Sequence, residues 1–152
     1  MPANRGTHYK VMPMYKHILL PTDFSEHSRR AAGKALDLQK LLDSRLTVVH
    51  VVNYLPPAFV SAQSEHTSAV QIIERATAYL AEWSGEAGLA GADQVIGNGP
   101  AGREIIAAAT SVGADLIVIG TSGEGGMKRL LGSTTNAVMH HAPCDVLSIH
   151  CD

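Results

Sequence analysis

The chain has 152 residues, 45% of them hydrophobic, which suits one domain with a sizeable core. Its 12 basic and 14 acidic side chains give a net charge of −2, so it lacks the basic stripe expected of a nucleic-acid or anionic-membrane surface. Two cysteines, Cys144 and Cys151, make no disulfide framework and fit a reducing, cytoplasmic setting, and no apolar run approaches the ~20 residues of a membrane span. The opening "MPANRGTHYKVMPM" has no apolar segment of the secretory-signal kind. Residues 1–14 are therefore expected to be a flexible N-terminal extension, and 15–152 a single domain.

"HILLP" (17–21) is a short apolar run ended by proline and reads as a first strand. In "DFSEHSRRAAGKALDLQKLLDS", Ala32, Ala35, Leu38 and Leu42 recur three or four apart and predict a helix, capped by either Asp23 or Ser25. "RLTVVHVV" (45–52) is β-branched and almost wholly apolar, as a strand buried on both faces must be. "NYLPPAFVSAQS" is a loop, with residues around 53–64 expected to be disordered. A second helix is expected between Ser64 and Ala87, with Val70, Ile73, Thr77, Leu80 and Ala87 as its inner stripe. "DQVIG" (93–97) reads as a weak third strand. "PAGREIIAAATSVG" reads as a helix with Pro100 near its start and Gly113 past its end. "DLIVIG" (115–120) is a fourth, strongly buried strand. "STTNAVMHHA" reads as a helix from Ser133 stopped by Pro143, and "DVLSIHC" (145–151) as a last, edge strand.

Strands that alternate with helices predict an α/β fold: an open, five-stranded parallel sheet with right-handed crossovers and helices on both faces. In such sheets ligands bind beyond the carboxyl ends of the strands, where the strand order reverses. Two stretches compete for that place, "PTDFS" after the first strand and "GTSGEGGMKRLLGS" (120–133) after the fourth. The second holds five of the chain's 14 glycines. Gly120 and Gly123 permit positive φ and close approach, so that backbone N–H groups converge. Gly132 and Ser133 open a helix, whose free N–H groups and dipole favour an anion. Lys128 and Arg129 lie between, either as phosphate partners or as a solvated face. Two anion-friendly ends with a cationic bridge suit a triphosphate.

A third stretch, "GNGPAG" (97–102), matches G-x-G-x-x-G, but no acid ends the next strand, and it is read as a strand-to-helix turn. P-loop, G-x-S-x-G, H-E-x-x-H and C-x-x-C patterns are absent.

The combination "YKHILLPTDFS", "VVHVV", "GADLIVIGTSGEGG" and "LLGSTTNAVMHHAPCDVL", in this order from Tyr15 onward, resembles the universal stress protein family. The resemblance implies a Rossmann-like fold of the adenine nucleotide alpha hydrolase-like kind, usually dimeric. Many members bind ATP through G-x2-G-x9-G-[ST]. Here Gly120, Gly123 and Gly132-Ser133 match that pattern, with eight residues rather than nine between Gly123 and Gly132. The resemblance implies that Pro21, Thr22 and Asp23 line the nucleoside. Asp23 would accept from a ribose hydroxyl or face a phosphate-bound Mg²⁺ or Mn²⁺. Val51 would meet the adenine edge, and Gly120, Thr121, Gly123, Gly132, Ser133 and Thr134 would hold phosphates.

Each of these residues also has a structural role open to it. Asp23 can cap the first helix. His17 and His50 are read as structural, Trp83 as packing and Cys144 as a small buried hydrophobe. His140 and His141 suit the negative end of a helix dipole.

The expected function is that of an ATP-binding stress-response protein in which nucleotide acts as a regulatory ligand and hydrolysis is weak or absent. The expected assembly is a homodimer through the last strand. The alternative is a dimeric interaction module of the same fold that does not bind nucleotide. A nucleotidyl transferase or hydrolase ranks last, because "LPTDFSEHS" holds only His27 where such transferases carry paired histidines.

Overall fold

A computed structural model describes residues 14–53, 68–121 and 131–150. Residues 1–13 of the expected extension, 54–64 of the expected loop, Gly123, Lys128, Arg129 and Cys151 lie outside the described residues. Five strands alternate with four helices: β1 (His17–Pro21), α1 (Glu26–Leu42), β2 (Arg45–Val52), α2 (Ala69–Glu86), β3 (Asp93–Asn98), α3 (Ala101–Val112), β4 (Leu116–Gly120), α4 (Ser133–His141) and β5 (Asp145–Ile149).

The strands form one sheet in the order β3-β2-β1-β4-β5, and every pairing is parallel. Strand order therefore reverses between β1 and β4. Both are buried along nearly their whole length because each is covered on two faces. Ile18, Leu20, Leu46, Val48, Leu116 and Val118 point to one side, against Ala31, Ala32 and Ala35 of α1 and Leu80 and Trp83 of α2. Leu19, Val49, Ile117 and Ile119 point to the other, against Ile105, Ala108 and Ala109 of α3 and Val138 of α4. The period-2 alternation of the strands thus divides the core into two layers. Each fully buried Leu or Ile adds about 1.5–3 kcal/mol.

Two helices keep part of the stripes expected for them: Ala32 and Ala35 of α1 and Leu80 of α2 are buried as expected, and Ala87 packs against the same core. In α1 the buried set is Ser28, Ala31, Ala32 and Ala35, with Leu38 packed only partly. Alanines let this helix lie close over β1 and β4. In α2 the helix begins at Ala69, behind a Ser68–Gln71 capping box, rather than near Ser64. Its buried residues are Leu80, Trp83 and Ser84, while Val70 and Ile73 of the expected stripe are exposed. This segment has apolar residues on more than one face, so its periodicity admits two stripes. The volume of Trp83, which is packed as expected, decides between them.

At the amino ends of the strands, Asp115 precedes β4 rather than opening it. Its carboxylate accepts from the backbone N–H groups of Lys16 (2.9 and 3.1 Å) and His17 (3.0 Å). Tyr15 donates its hydroxyl to Asp145 (2.9 Å), and this bond raises the phenol pKa above its ordinary value. His17 is buried, its Nε2 lying 2.7 Å from Thr47 Oγ1, as a structural histidine.

Candidate functional site

The reversal of strand order puts the carboxyl end of β1 beside that of β4. Pro21 and Thr22 are buried there. Thr22 donates its N–H to Val49 O of β2 (2.9 Å), and its Oγ1 accepts from Phe24 N (3.0 Å). Asp23 is exposed, but its Oδ1 turns into the loop and accepts from Ser25 N (3.0 Å) and Ser28 Oγ (2.5 Å). Of the two capping residues open to α1, Ser25 is the N-cap, accepting from Ser28 N (3.3 Å). Asp23 braces the loop that leads into the cap. Partial burial raises the Asp23 carboxyl, but the hydrogen bonds from Ser25 and Ser28 outweigh it and hold the group below its ordinary value. Asp23 is thus a carboxylate at neutral pH, fit to accept from hydroxyls or to face a cation.

Beside this loop, Val51 of β2 is half-buried and pairs with Gly97 of β3. On β1's other flank, Gly120 ends β4. A Cβ there would lie 2.9 Å from His27 C, O and Cβ in the first turn of α1. Its φ is not among the positive ones. Glycine is required here by the close approach of α1, not by the left-handed backbone that its place in a glycine-rich segment suggests.

The two ends of that segment are bonded to each other. Gly132 donates its N–H to Thr121 O (2.7 Å), Thr121 donates to Ile149 O (3.0 Å), and Thr135 Oγ1 donates to Gly120 O (2.7 Å). The short spacing between Gly123 and Gly132 therefore does not separate the end of β4 from the start of α4. Gly132 is the N-cap of α4 and supplies no side-chain hydrogen bond to its first turn. Ser133 and Thr134 are the first residues of α4, with their backbone at its positive end.

Pro21, Thr22, Asp23, Val51, Gly120, Thr121, Gly132, Ser133 and Thr134 thus all lie at the carboxyl end of the sheet, on β1, β2, β4 and the start of α4. Thr135, Ser28, Phe24 and His50 were not singled out as site residues. The Asp-x-Ser-x-x-Ser spacing of residues 23–28 is a legible sign of a braced helix start. His50 Nδ1 donates to Thr22 O (2.8 Å), so His50 is structural as expected but also supports the loop.

The "GNGPAG" stretch behaves as a turn. It runs from the last two residues of β3, an edge strand away from the reversal, into the first two of α3. Gly99 has φ +142°, and a Cβ on Gly102 would come within 2.9 Å of Ala137 Cβ, so that glycine serves helix packing. Cys144 is half-buried. Burial first, then Asp115 and Asp145, raise its pKa, keeping it a thiol. Among the described residues no three His, Cys, Asp or Glu side chains gather to hold a metal ion, and no helix is long and apolar enough to cross a membrane.

A family model of the universal stress proteins matches residues 14–150. The chain belongs to the universal stress protein family. Universal stress protein A homolog 2 of Coxiella burnetii is 33% identical over 141 residues, covering 91% of this chain and 97% of that protein. Among solved structures, the protein MJ0577 is 27% identical with a TM-score of 0.75, covering 91% of this chain and 98% of that one. A universal stress protein in complex with cAMP is 25% identical with a TM-score of 0.68, covering 91% and 99%. The family's α/β nucleotide-binding fold is therefore the fold of this chain.

Proposed function

We propose that this universal stress protein binds ATP, together with Mg²⁺ or Mn²⁺, at the carboxyl ends of β1 and β4, and that the nucleotide is a regulatory ligand in a cytoplasmic stress response. The observation that carries this reading is the junction at the strand reversal. There a low-pKa carboxylate, Asp23, shares the sheet end with an α4 start that has no side-chain cap. The carboxylate suits ribose hydroxyls or a phosphate-bound cation, and the helix start suits phosphate. A relative of the same fold was solved with cAMP, which supports the adenine-nucleotide class. Pro21, Thr22 and Val51 would line the nucleoside. Gly120, Thr121, Gly123, Gly132, Ser133 and Thr134 would hold the phosphates, and Asp23 would face the metal. With no residue assigned as a general base, hydrolysis is weak at most. Nucleotide would act by favouring one conformation or one protein partner.

We infer a homodimer through β5. This strand is at the sheet edge, and its Leu147 is 39% exposed. Pairing with a second copy across a two-fold axis covers that edge.

Denaturing the purified protein and chromatographing what is released tests the ligand. ATP or ADP near one per chain is expected. Nucleotide-free protein that also shows no thermal stabilisation by millimolar ATP with Mg²⁺ favours the second reading, a dimeric interaction module that does not bind nucleotide. The feature that favours that reading is the shortened glycine motif.

A further inference from the structure

Phe24 has φ +65°, a left-handed backbone in which a bulky non-glycine residue is rarely found. It stands between Asp23 and the helix cap Ser25. Its ring is held on three sides, by His50 (centroids 4.2 Å), by Tyr79 edge-on (4.5 Å) and by Trp83 (5.8 Å). Its N–H is held by Thr22 Oγ1, while His50 holds Thr22 O. The anchoring ring and the strained backbone belong to one residue, so the packing of the ring keeps a conformation that the backbone alone would leave.

That conformation has two consequences for the site. It lets Asp23 Oδ1 reach back to both Ser25 N and Ser28 Oγ. It also sets the first turn of α1 in its place, where His27 rests against Gly120 of β4. The strain is therefore located at the joint between the two halves of the sheet-end site, where strained residues commonly serve function.

We propose that Phe24 is a positioning residue of this site: its ring, wedged between β2 and α2, locks a left-handed joint that presents Asp23 at the carboxyl end of β1. The proposal rests on the nucleotide reading for its functional meaning, and on the geometry of the loop for its physical content.

Two substitutions separate this role from ordinary packing. Phe24→Gly removes the anchor but also removes the backbone penalty, so the loop keeps ready access to its native form. Phe24→Ala removes the anchor and leaves the penalty, on the order of tenfold against the native form. A residue that serves only as core would lower the melting temperature of both variants while leaving the ATP affinity of the folded protein and the Asp23 carboxyl as they are in the wild type. The test is calorimetric titration of both variants and the wild type with ATP and Mg²⁺, with thermal melts to establish that each is folded. The expected order of affinity is wild type, then Gly, then Ala, with Ala several-fold weaker than Gly. Ala binding as tightly as Gly, or more tightly, overturns the proposal. The Asp23 carboxyl is titrated by carbon NMR in the same three proteins. Its pKa should stay low in the wild type and Gly variant and return toward the ordinary value in Ala. If the wild type binds no ATP, the nucleotide reading falls. The carboxyl titration then decides the lock by itself: an Asp23 carboxyl that stays as low in Phe24→Ala as in the wild type overturns it.

Discussion

At the scale of single residues, Asp23 and Gly120 carry the sharpest consequences. Asp23→Asn keeps the shape but loses the charge, and the two bonds into Oδ1 weaken from charge-assisted to neutral. Affinity for ATP with Mg²⁺, read by calorimetry, should fall by about tenfold, the scale of one charged hydrogen bond. The pH dependence follows from the lowered carboxyl. A depressed folded pKa adds stability that is fully present above the unfolded value of ~3.9 and is lost as pH falls through the folded value. Thermal melts of wild type and Asp23→Asn should therefore differ at neutral pH and converge in acid. Gly120→Ala is predicted to destabilise by about 1–3 kcal/mol, because backbone atoms of His27 stand where the methyl must go. In a chain of this size that lowers the melting temperature by about 2–4 °C per kcal/mol. The places of Asp23 and Gly120 at the carboxyl ends of β1 and β4 were legible because both follow apolar runs that read as strands. Phe24 and Thr135 were not. An aromatic residue announces no left-handed turn, and a threonine inside a helix announces no bond to a strand end.

At the scale of elements, the boundaries of β1 and β2 were read correctly, since a run buried on both faces is apolar along its length. β4 and β5 came out shorter than read. Asp115 is spent on Lys16 and His17, and β5 ends at Ile149, whose carbonyl accepts from Thr121. The α2 stripe holds at Leu80 and Ala87 and fails at Val70 and Ile73, because periodicity does not weigh side-chain volume. Burial says that Leu80, not Val70, holds this helix. Leu80→Ala should cost about 2–5 kcal/mol and Val70→Ala under about 1, by denaturant unfolding. The β5 edge yields a further test. Ile149 directs its carbonyl to β4, and successive strand residues direct their polar groups to alternate sides. Val146 and Ser148 therefore face the open edge, and Leu147 faces β4. Ser148→Pro should give a folded monomer by light scattering, whereas Leu147→Pro should lower stability by removing a bond inside the sheet. A wild-type monomer at tens of micromolar, or a dimer indifferent to Ser148→Pro, contradicts pairing through β5.

At the scale of the whole molecule, the alternation of elements pointed to a parallel sheet, and a parallel sheet has its ligand end where strand order reverses. The order β3-β2-β1-β4-β5 puts that point between β1 and β4. The sequence offers residues 21–23 and 120–133 as two strand-end stretches competing for that place, and it is the family resemblance that joins them, with Val51, into one site. How they are joined could not be read, because the Gly132–Thr121 bond and the His27–Gly120 contact are properties of packing. The first 13 residues contribute no periodic apolar pattern, so their removal should leave the melting temperature within about 5 °C of the full chain. The central claim is that the strand reversal is an adenine-nucleotide site. Calorimetric titration of nucleotide-stripped wild type with ATP and Mg²⁺, beside Asp23→Asn, tests it most directly. The account predicts saturable binding near one ATP per chain, weakened by the substitution. Absence of heat at millimolar ATP, or equal binding by both proteins, would contradict it.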